Sequence, residues 1–338
     1  MKKKLILILP LLGLVLLALM FFNTRLTKFG NPEKKILYIR TGSEYGEVVS
    51  ILDTALDIRH RKLFDWMAKK KNYPSMVKAG RYVIEPGMSY SGLLDMLRSG
   101  NQAPVKITFN NIRTLKQLAG KVGGRIEADS SSIMNFLSDE TNYSADGFRK
   151  ETVIAVFIPN TYQVFWNSSP KSFYTRMLKE YRAFWTAERV DRAKEKGLTP
   201  VEVSILASIV DDEVAKRDEK PRIAGVYLNR LKKGMPLQAC PTIKFALNDF
   251  TITRVLKKYL TVDSPYNTYK HSGFPPGPVG CPSVDGLEAV LNAEKHDYFF
   301  FAAKADFSGY HNFSRTLAEH NRYAAEYQRE LDRRKIFK

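Results

Sequence analysis

Apolar and polar positions follow several periods along this chain, and one stretch has no period at all. After Met1 and three lysines, Leu5 to Phe22 is an unbroken apolar run of 18 residues, long enough to cross the hydrocarbon core of a bilayer as a helix. The lysines before it predict a cytoplasmic tip over residues 1–4. A cleaved leader would have a shorter apolar region followed by a small-residue cleavage site, and Met20-Phe21-Phe22-Asn23 lacks that pattern. The run over 5–22 is therefore expected to stay as a transmembrane anchor, with 23–35 as a linker. No second apolar run of that length follows, so the rest of the chain is expected to lie outside the membrane.

Beyond the linker the pattern becomes periodic. Ile36 to Thr41 and Lys78 to Glu85 alternate as strands, the second closed by the Pro86-Gly87 turn. Between them Ser43 to Leu56 and His60 to Lys70 read as helices, giving a βααβ module that with a helix from Tyr90 to Arg98 fills 36–100. A connecting region over 101–150 holds a strand at Val105 to Phe109, helices at Thr114 to Val122 and Ser131 to Leu137, and a polar, aperiodic stretch from 138 to 150. From 151 to 338 the pattern predicts a mixed α/β domain. It contains a long amphipathic helix over Ser172 to Arg192, Pro-rich loops from Pro236 to Pro282, a helix from Ser283 to Ala293, a strand at Tyr298 to Ala302 and a helix from Thr316 to Arg333. The clearest helix start is at Thr199, with Pro200 at the first helical position and Glu202 completing a capping box; that helix runs to Glu213. Another begins at Pro221 and ends near Gly234. The fold class is α+β.

Composition narrows the partners. The chain is 44% hydrophobic and 26% charged, which excludes a disordered polymer. Its net charge of +18 favours a polyanionic partner. Placement outside the cytoplasm argues against nucleic acid and leaves envelope polymers or the membrane surface. Two cysteines and five scattered histidines lack metal-ligand spacing, which argues against a zinc site, and no metal or cofactor is expected.

The candidate chemistry sits at the end of the Thr199 helix, where Asp211-Asp212-Glu213 follow an apolar stretch. At about 100° per residue, Glu213 falls on the stripe of Leu206, Ile209 and Val210, while Asp211 points to nearly the opposite side. A carboxyl group on an apolar face is costly in its charged form, and its pKa rises accordingly, which suits a general acid. Two alternatives remain at this stage: an acid frayed into solvent, or one paired with Arg217. Three loop segments have the polar and aromatic character of a sugar site: Ile158 to Gln163, Leu237 to Thr242, and Ser264 to Tyr269 leading into Gly273 to Gly277.

Taken together, these segments resemble the YceG-like, endolytic murein transglycosylase family. The matching pieces are Ala207 to Glu213, Ile223 to Leu231, Gly234 to Gln238, Pro241-Thr242, Pro265 to Tyr269, Gly273 to Pro278, and Tyr298 to Asn321, in the family's order over roughly residues 150–330. The βααβ module resembles the family's LysM-type module. The resemblance implies Glu213 as the catalytic acid and base, with Asp211 as the candidate supporting acid, one methylene shorter than in the family's Glu-x-Glu segment. It implies cleavage of the MurNAc–GlcNAc β-1,4 bond with 1,6-anhydro ends, in cooperation with peptidoglycan synthases; the 13-residue linker from Asn23 to Lys35, which reaches at most about 45 Å, adds the expectation that the strands cleaved are nascent ones near the cytoplasmic membrane. Asn160, Thr161, Tyr162, Gln163, Gln238, Asn267 and Tyr269 are the candidates for binding sugar; Asn160 falls where many relatives carry an acid. Cys240 and Cys281 sit in matching segments at positions where relatives are not expected to carry cysteine, and a disulfide between them is expected. A water-using muramidase with a second acid, Asp211 or Asp263, and a non-catalytic peptidoglycan-binding scaffold remain as alternatives.

Overall fold

The computed structural model describes residues 28–29, 33–56, 58–252 and 255–334. The expected anchor over 5–22 lies outside the described residues, and among the described residues no helix is long and apolar enough to cross a membrane. The chain forms two compact units. The first holds the described residues up to Ile107, with Arg125–Ala128 and Gln163–Ser169; the second holds Thr108–Gly124, Asp129–Tyr162 and the chain from Pro170 onward.

In the first unit, strand β1 (Lys35–Ile39) is followed by helices α1 (Tyr45–Ala55) and α2 (Arg61–Lys70), strand β2 (Gly80–Ile84) and helix α3 (Tyr90–Ser99). β1 and β2 pair antiparallel, from Lys35 opposite Ile84 to Ile39 opposite Gly80. Period-two alternation sends Leu37, Ile39, Tyr82 and Ile84 into the core and leaves Ile36 and Tyr38 outside. The helices close that core with Val48, Leu52, Phe64, Ala68, Leu93, Leu94 and Leu97. Ser89 caps α3 by accepting from the Gly92 amide, and Gly100, in the left-handed region at φ 74°, ends it. Lys28 bridges to Ser89 of this unit, and the Phe29 ring packs on Tyr90 at 4.8 Å and Phe64 at 6.5 Å.

Strands β3 (Val105–Phe109) and β4 (Asn160–Val164) pair with each other. β4 corrects the reading of Ile158 to Gln163 as loop: its exposed polar residues alternate with buried Tyr162 and Val164, a strand pattern too short to stand out.

The second unit contains α4 (Leu115–Gly123), α5 (Ser130–Ser138), α6 (Pro170–Phe184), α7 (Ala187–Glu195), α8 (Pro200–Glu213), α9 (Lys220–Lys232), α10 (Cys240–Ala246), α11 (Val284–Leu291), the antiparallel pair β5 (Phe300–Ala303) and β6 (His311–Ser314), and α12 (Leu317–Arg333). The single helix expected over Ser172 to Arg192 is two helices, because the Thr186 hydroxyl accepts from the Arg189 amide and starts α7 afresh. The expected Pro-rich loop from Pro236 to Pro282 contains α10, where Pro241 occupies the tolerated first turn of a helix.

α8 is the central element of this unit: Val203 to Val210 are all buried. Its start is the capping box seen in the sequence, with the Glu202 amide donating to Thr199 Oγ1 and the Glu202 carboxylate accepting from the Thr199 amide. Two buried serines within it have partners. Ser204 Oγ donates to the Pro200 carbonyl at 2.9 Å, and Ser208 Oγ donates to the Ile205 carbonyl at 2.7 Å while accepting from the Val279 amide at 2.9 Å. That last bond ties the Gly273 to Pro282 segment to the helix.

Candidate active site

The last turn of α8 sends three consecutive acids in three directions, and each meets a different environment. Asp211 accepts from Lys220 Nζ at 2.6 Å and from the amide and hydroxyl of Ser283 at 2.7 and 2.8 Å. Ser283 also caps α11, so Asp211 joins α8 to the starts of α9 and α11. The fit is close: a Cβ on Gly286 would sit 2.5 Å from both Asp211 carboxylate oxygens. Asp212 is held by a two-pronged bond from the Arg113 guanidinium, which itself lies 5.1 Å from the Phe250 ring centroid.

Glu213 has a different kind of setting. Its Oε1 accepts from the buried Tyr227 phenol at 3.0 Å and from the Cys240 amide at 3.2 Å. Among the described residues, no group bonds to Oε2. Burial raises the pKa of this carboxyl from 4.5 to about 7, and the charge of Asp212 adds to the rise; the two donors and Lys244 oppose it. Arg217 pairs with Asp285, so the sequence alternative of a Glu213–Arg217 pair is not realised.

The two donors on Oε1 fix where the proton of the acid form resides. An oxygen that already accepts two hydrogen bonds is the poorer place for a proton, so the proton is carried by Oε2. The group therefore presents one transferable proton at one atom, held near neutral pH by its surroundings, as general acid–base chemistry requires.

A family model described as the YceG-like family matches residues 37–326. The chain belongs to the YceG-like family. It is 30% identical over 307 residues to a protein of Bacillus subtilis (strain 168) named endolytic murein transglycosylase, covering 86% of this chain and 83% of that one. A protein of the same name from Streptococcus pneumoniae serotype 2 is 30% identical over 324 residues, covering 86% of this chain and 57% of the relative. A crystal structure of a yceG-like protein from Listeria monocytogenes superposes with a TM-score of 0.57 at 28% identity, over 86% of this chain and 99% of that one.

In this YceG-like chain, several sequence candidates serve the loops around Glu213. Asn267 is fully buried; its Nδ2 donates to the carbonyls of Leu260 and Val262 at 2.9 and 2.8 Å, and its Oδ1 accepts from the Tyr269 amide at 3.0 Å. With its amide engaged inside the loop, it acts as a staple. Thr268 links this loop to α10: its Oγ1 accepts from the Ala239 amide and meets Thr242 Oγ1 at 2.8 Å. Tyr269 Oη lies 3.4 Å from Cys240 Sγ, beside the residue whose amide holds Glu213. Gln238 adopts a left-handed φ of 53°, donates its amide to the Thr268 carbonyl and accepts from Arg230 at 3.2 Å.

The β4 candidates make no bond to Glu213. Tyr162 is buried with its hydroxyl on the Ile158 carbonyl, Thr161 Oγ1 meets Thr108 Oγ1 at 2.8 Å, and Asn160 Oδ1 accepts from the Thr161 amide at 2.7 Å. Gln163 is exposed on the same strand.

The disulfide expected between Cys240 and Cys281 is not formed, and both thiols are free. Cys240 opens α10 beside Glu213, whereas Cys281 is buried with its amide on the Ile112 carbonyl, in a pocket it shares with Arg113, Asp211 and Asp212. Burial pushes the pKa of both thiols up, which keeps them protonated.

Sequence reasoning missed Tyr227, Arg113 and Arg230. Arg230 is buried and donates to the carbonyls of Phe299, Pro236 and Leu237 at 2.6, 3.1 and 2.9 Å, tying α9 to the loop before α10. The available signal was Tyr227 on the apolar face of α9, since a buried phenol needs a partner. Among the described residues, no group of three His, Cys, Asp or Glu side chains could hold a metal ion.

Proposed function

We propose that this chain is an endolytic lytic transglycosylase that cleaves the MurNAc–GlcNAc β-1,4 bond of peptidoglycan strands. Glu213 is the one catalytic carboxyl in this reading. Protonated Oε2 gives its proton to the glycosidic oxygen, the bond from that oxygen to C1 of MurNAc breaks, and an oxocarbenium-like centre forms. The carboxylate then takes the proton from the C6 hydroxyl of the same MurNAc, whose oxygen bonds to C1. The products are a free GlcNAc 4-hydroxyl and a 1,6-anhydro-MurNAc end; no water is consumed, and Glu213 ends protonated as it began.

The observation that carries this reading is the Glu213 carboxyl itself: burial raises its pKa to about 7 and both fixed donors sit on one oxygen. A paired-carboxylate hydrolase would need a second acid free to activate water. Of the acids adjacent to Glu213, Asp211 is bound to Lys220 and Ser283 and Asp212 to Arg113, which favours the internal hydroxyl as nucleophile over a water activated by either of them. The names and coverage of the relatives support the substrate class.

In the same proposal, residues 5–22 anchor the chain once in the cytoplasmic membrane, with the described part outside the cytoplasm. The module built on β1, α1, α2 and β2 is LysM-like, and peptidoglycan synthases are the expected partners. Mass spectrometry of strands digested by the full chain tests the reaction. Anhydro ends that disappear with Glu213→Gln are expected, and reducing ends would replace this mechanism with hydrolysis.

A further inference from the structure

α2 has two opposed faces with different tasks. Phe64 and Ala68 are buried in the core of the first unit. On the opposite side, Lys62, Trp66, Lys69 and Lys70 fall within an arc of about 100° at helical spacing. Trp66 is 58% exposed, the most exposed of the large hydrophobic side chains among the described residues. Lys70 Nζ lies 5.9 Å from its ring centroid. The charges flanking this face are compensated: Arg61 pairs with Asp53 and Asp65, and Lys71 pairs with Asp95. By contrast, no carboxylate among the described residues pairs with Lys62, Lys69 or Lys70. The surface is thus one exposed indole framed by three ammonium groups that no carboxylate among the described residues compensates.

The path of the chain says what lies opposite it. Phe29 packs against Phe64 on the inner side of α2, and Lys28 bridges to Ser89 beside it. From Phe22, the end of the apolar run, to Lys28 there are six steps (28 − 22), which span at most about 20 Å when fully extended. This short reach confines the first unit to the neighbourhood of the lipid headgroups, where an exposed face of the unit can meet them. Indole rings favour the interface between headgroups and hydrocarbon, and lysines near an anionic leaflet each strengthen binding about fivefold.

We infer that the outer face of α2 docks on the anionic surface of the bilayer that holds residues 5–22, with Trp66 at headgroup level and Lys62, Lys69 and Lys70 on acidic lipids. This inference rests on the anchor assignment proposed above and is independent of the role of Glu213. Docking fixes the orientation of the first unit on the membrane, beyond the confinement a tether alone imposes.

The test uses the full chain reconstituted in vesicles of phosphatidylcholine alone or mixed with phosphatidylglycerol, each with a brominated lipid that quenches tryptophan at shallow depth. Trp66 is one of three tryptophans, so docking should quench up to one third of the emission in the anionic vesicles. Trp66→Phe should remove that quenched share. The triple replacement of Lys62, Lys69 and Lys70 by Ala should lower the ratio of docked to undocked units on the order of 100-fold, as should high salt in part. These substitutions change exposed side chains only. A chain that floats with the vesicles but whose emission ignores the brominated lipid overturns the docking and leaves the anchor intact. A chain that does not float overturns both. Quenching that is equal in neutral vesicles, or that survives the triple replacement, removes the lysines' role and overturns the inference. A Trp66 signal that responds to a soluble polyphosphate and not to brominated lipid assigns the face to a wall polyanion instead. Anhydro ends released by the same vesicles report separately on Glu213.

Discussion

Replacing Glu213 with Gln should stabilise the fold at alkaline pH while it abolishes cleavage. In an unfolded chain this carboxyl titrates near 4.5, and in the folded chain near 7, chiefly because the half-buried carboxyl is desolvated. Below about pH 4.5 both states hold the proton and the group contributes no difference. As pH rises from there, the unfolded chain releases its proton and the folded chain keeps it, so the folded state binds more protons and stability falls with pH. The loss is complete once pH passes about 7. Each tenfold in proton affinity is worth about 1.4 kcal/mol, so the full cost approaches about 3 kcal/mol, as an order of magnitude. Gln keeps the shape and lets its carbonyl accept from Tyr227 and the Cys240 amide, but it has no charge to desolvate. Urea unfolding of wild type and Glu213→Gln, followed by tryptophan emission, should therefore give nearly equal stabilities at about pH 4 and a gap of roughly 2–3 kcal/mol in favour of Gln at about pH 8.5. A gap that does not change with pH would mean that the carboxyl is not held protonated, and the assignment of burial as its cause would fail.

Tyr227→Phe removes a donor that favours the ionised form of Glu213, so the alkaline fall in kcat/KM should move to higher pH while activity drops about tenfold; a purely structural tyrosine would lower activity without moving that limb. Asn267→Ala deletes both carbonyl staples of the Leu260 to Tyr269 loop and should cost about 1–3 kcal/mol by thermal unfolding, with KM raised more than kcat is lowered. Gly225→Ala would place a Cβ 2.5 Å from the Glu294 carbonyl oxygen and 2.7 Å from His296 Nε2, so a destabilisation of about 1–3 kcal/mol is expected from chemical unfolding. Intact-mass analysis after alkylation in denaturant without reductant should show two labelled thiols, and in the native protein Cys281 should react far more slowly than in the unfolded chain.

Features set by neighbours in sequence were legible, and those set by distant partners were not. The Thr199–Glu202 box, the βααβ order of the first unit and the stripe carrying Glu213 are local, and the structure realises each of them. Periodicity placed Asp211 on the opposite side from Glu213, and the structure fills that side with Lys220 and Ser283. Asn267 and Tyr162 looked like sugar ligands because exposed and buried polar side chains have the same letters; their partners are backbone carbonyls that no sequence pattern displays. The Cys240–Cys281 bridge rested on counting and compartment, with no information on where the two residues sit around α8. Tyr227 and Arg113 reach the site across 14 and 99 residues of sequence, which spacing arguments do not span.

The three acids at the end of α8 make the length of that helix a quantised property. One residue inserted or deleted between Thr199 and Asp211 would turn all three carboxylates by about 100°. The acid meant for Tyr227 would face Arg113 or Lys220, and a different acid would arrive at the open position. Only a change of about seven residues, two full turns, restores all three directions together, and it would displace them by roughly 10 Å along the axis. An alignment of relatives should therefore carry its gaps in the loops on either side of this helix and none within it.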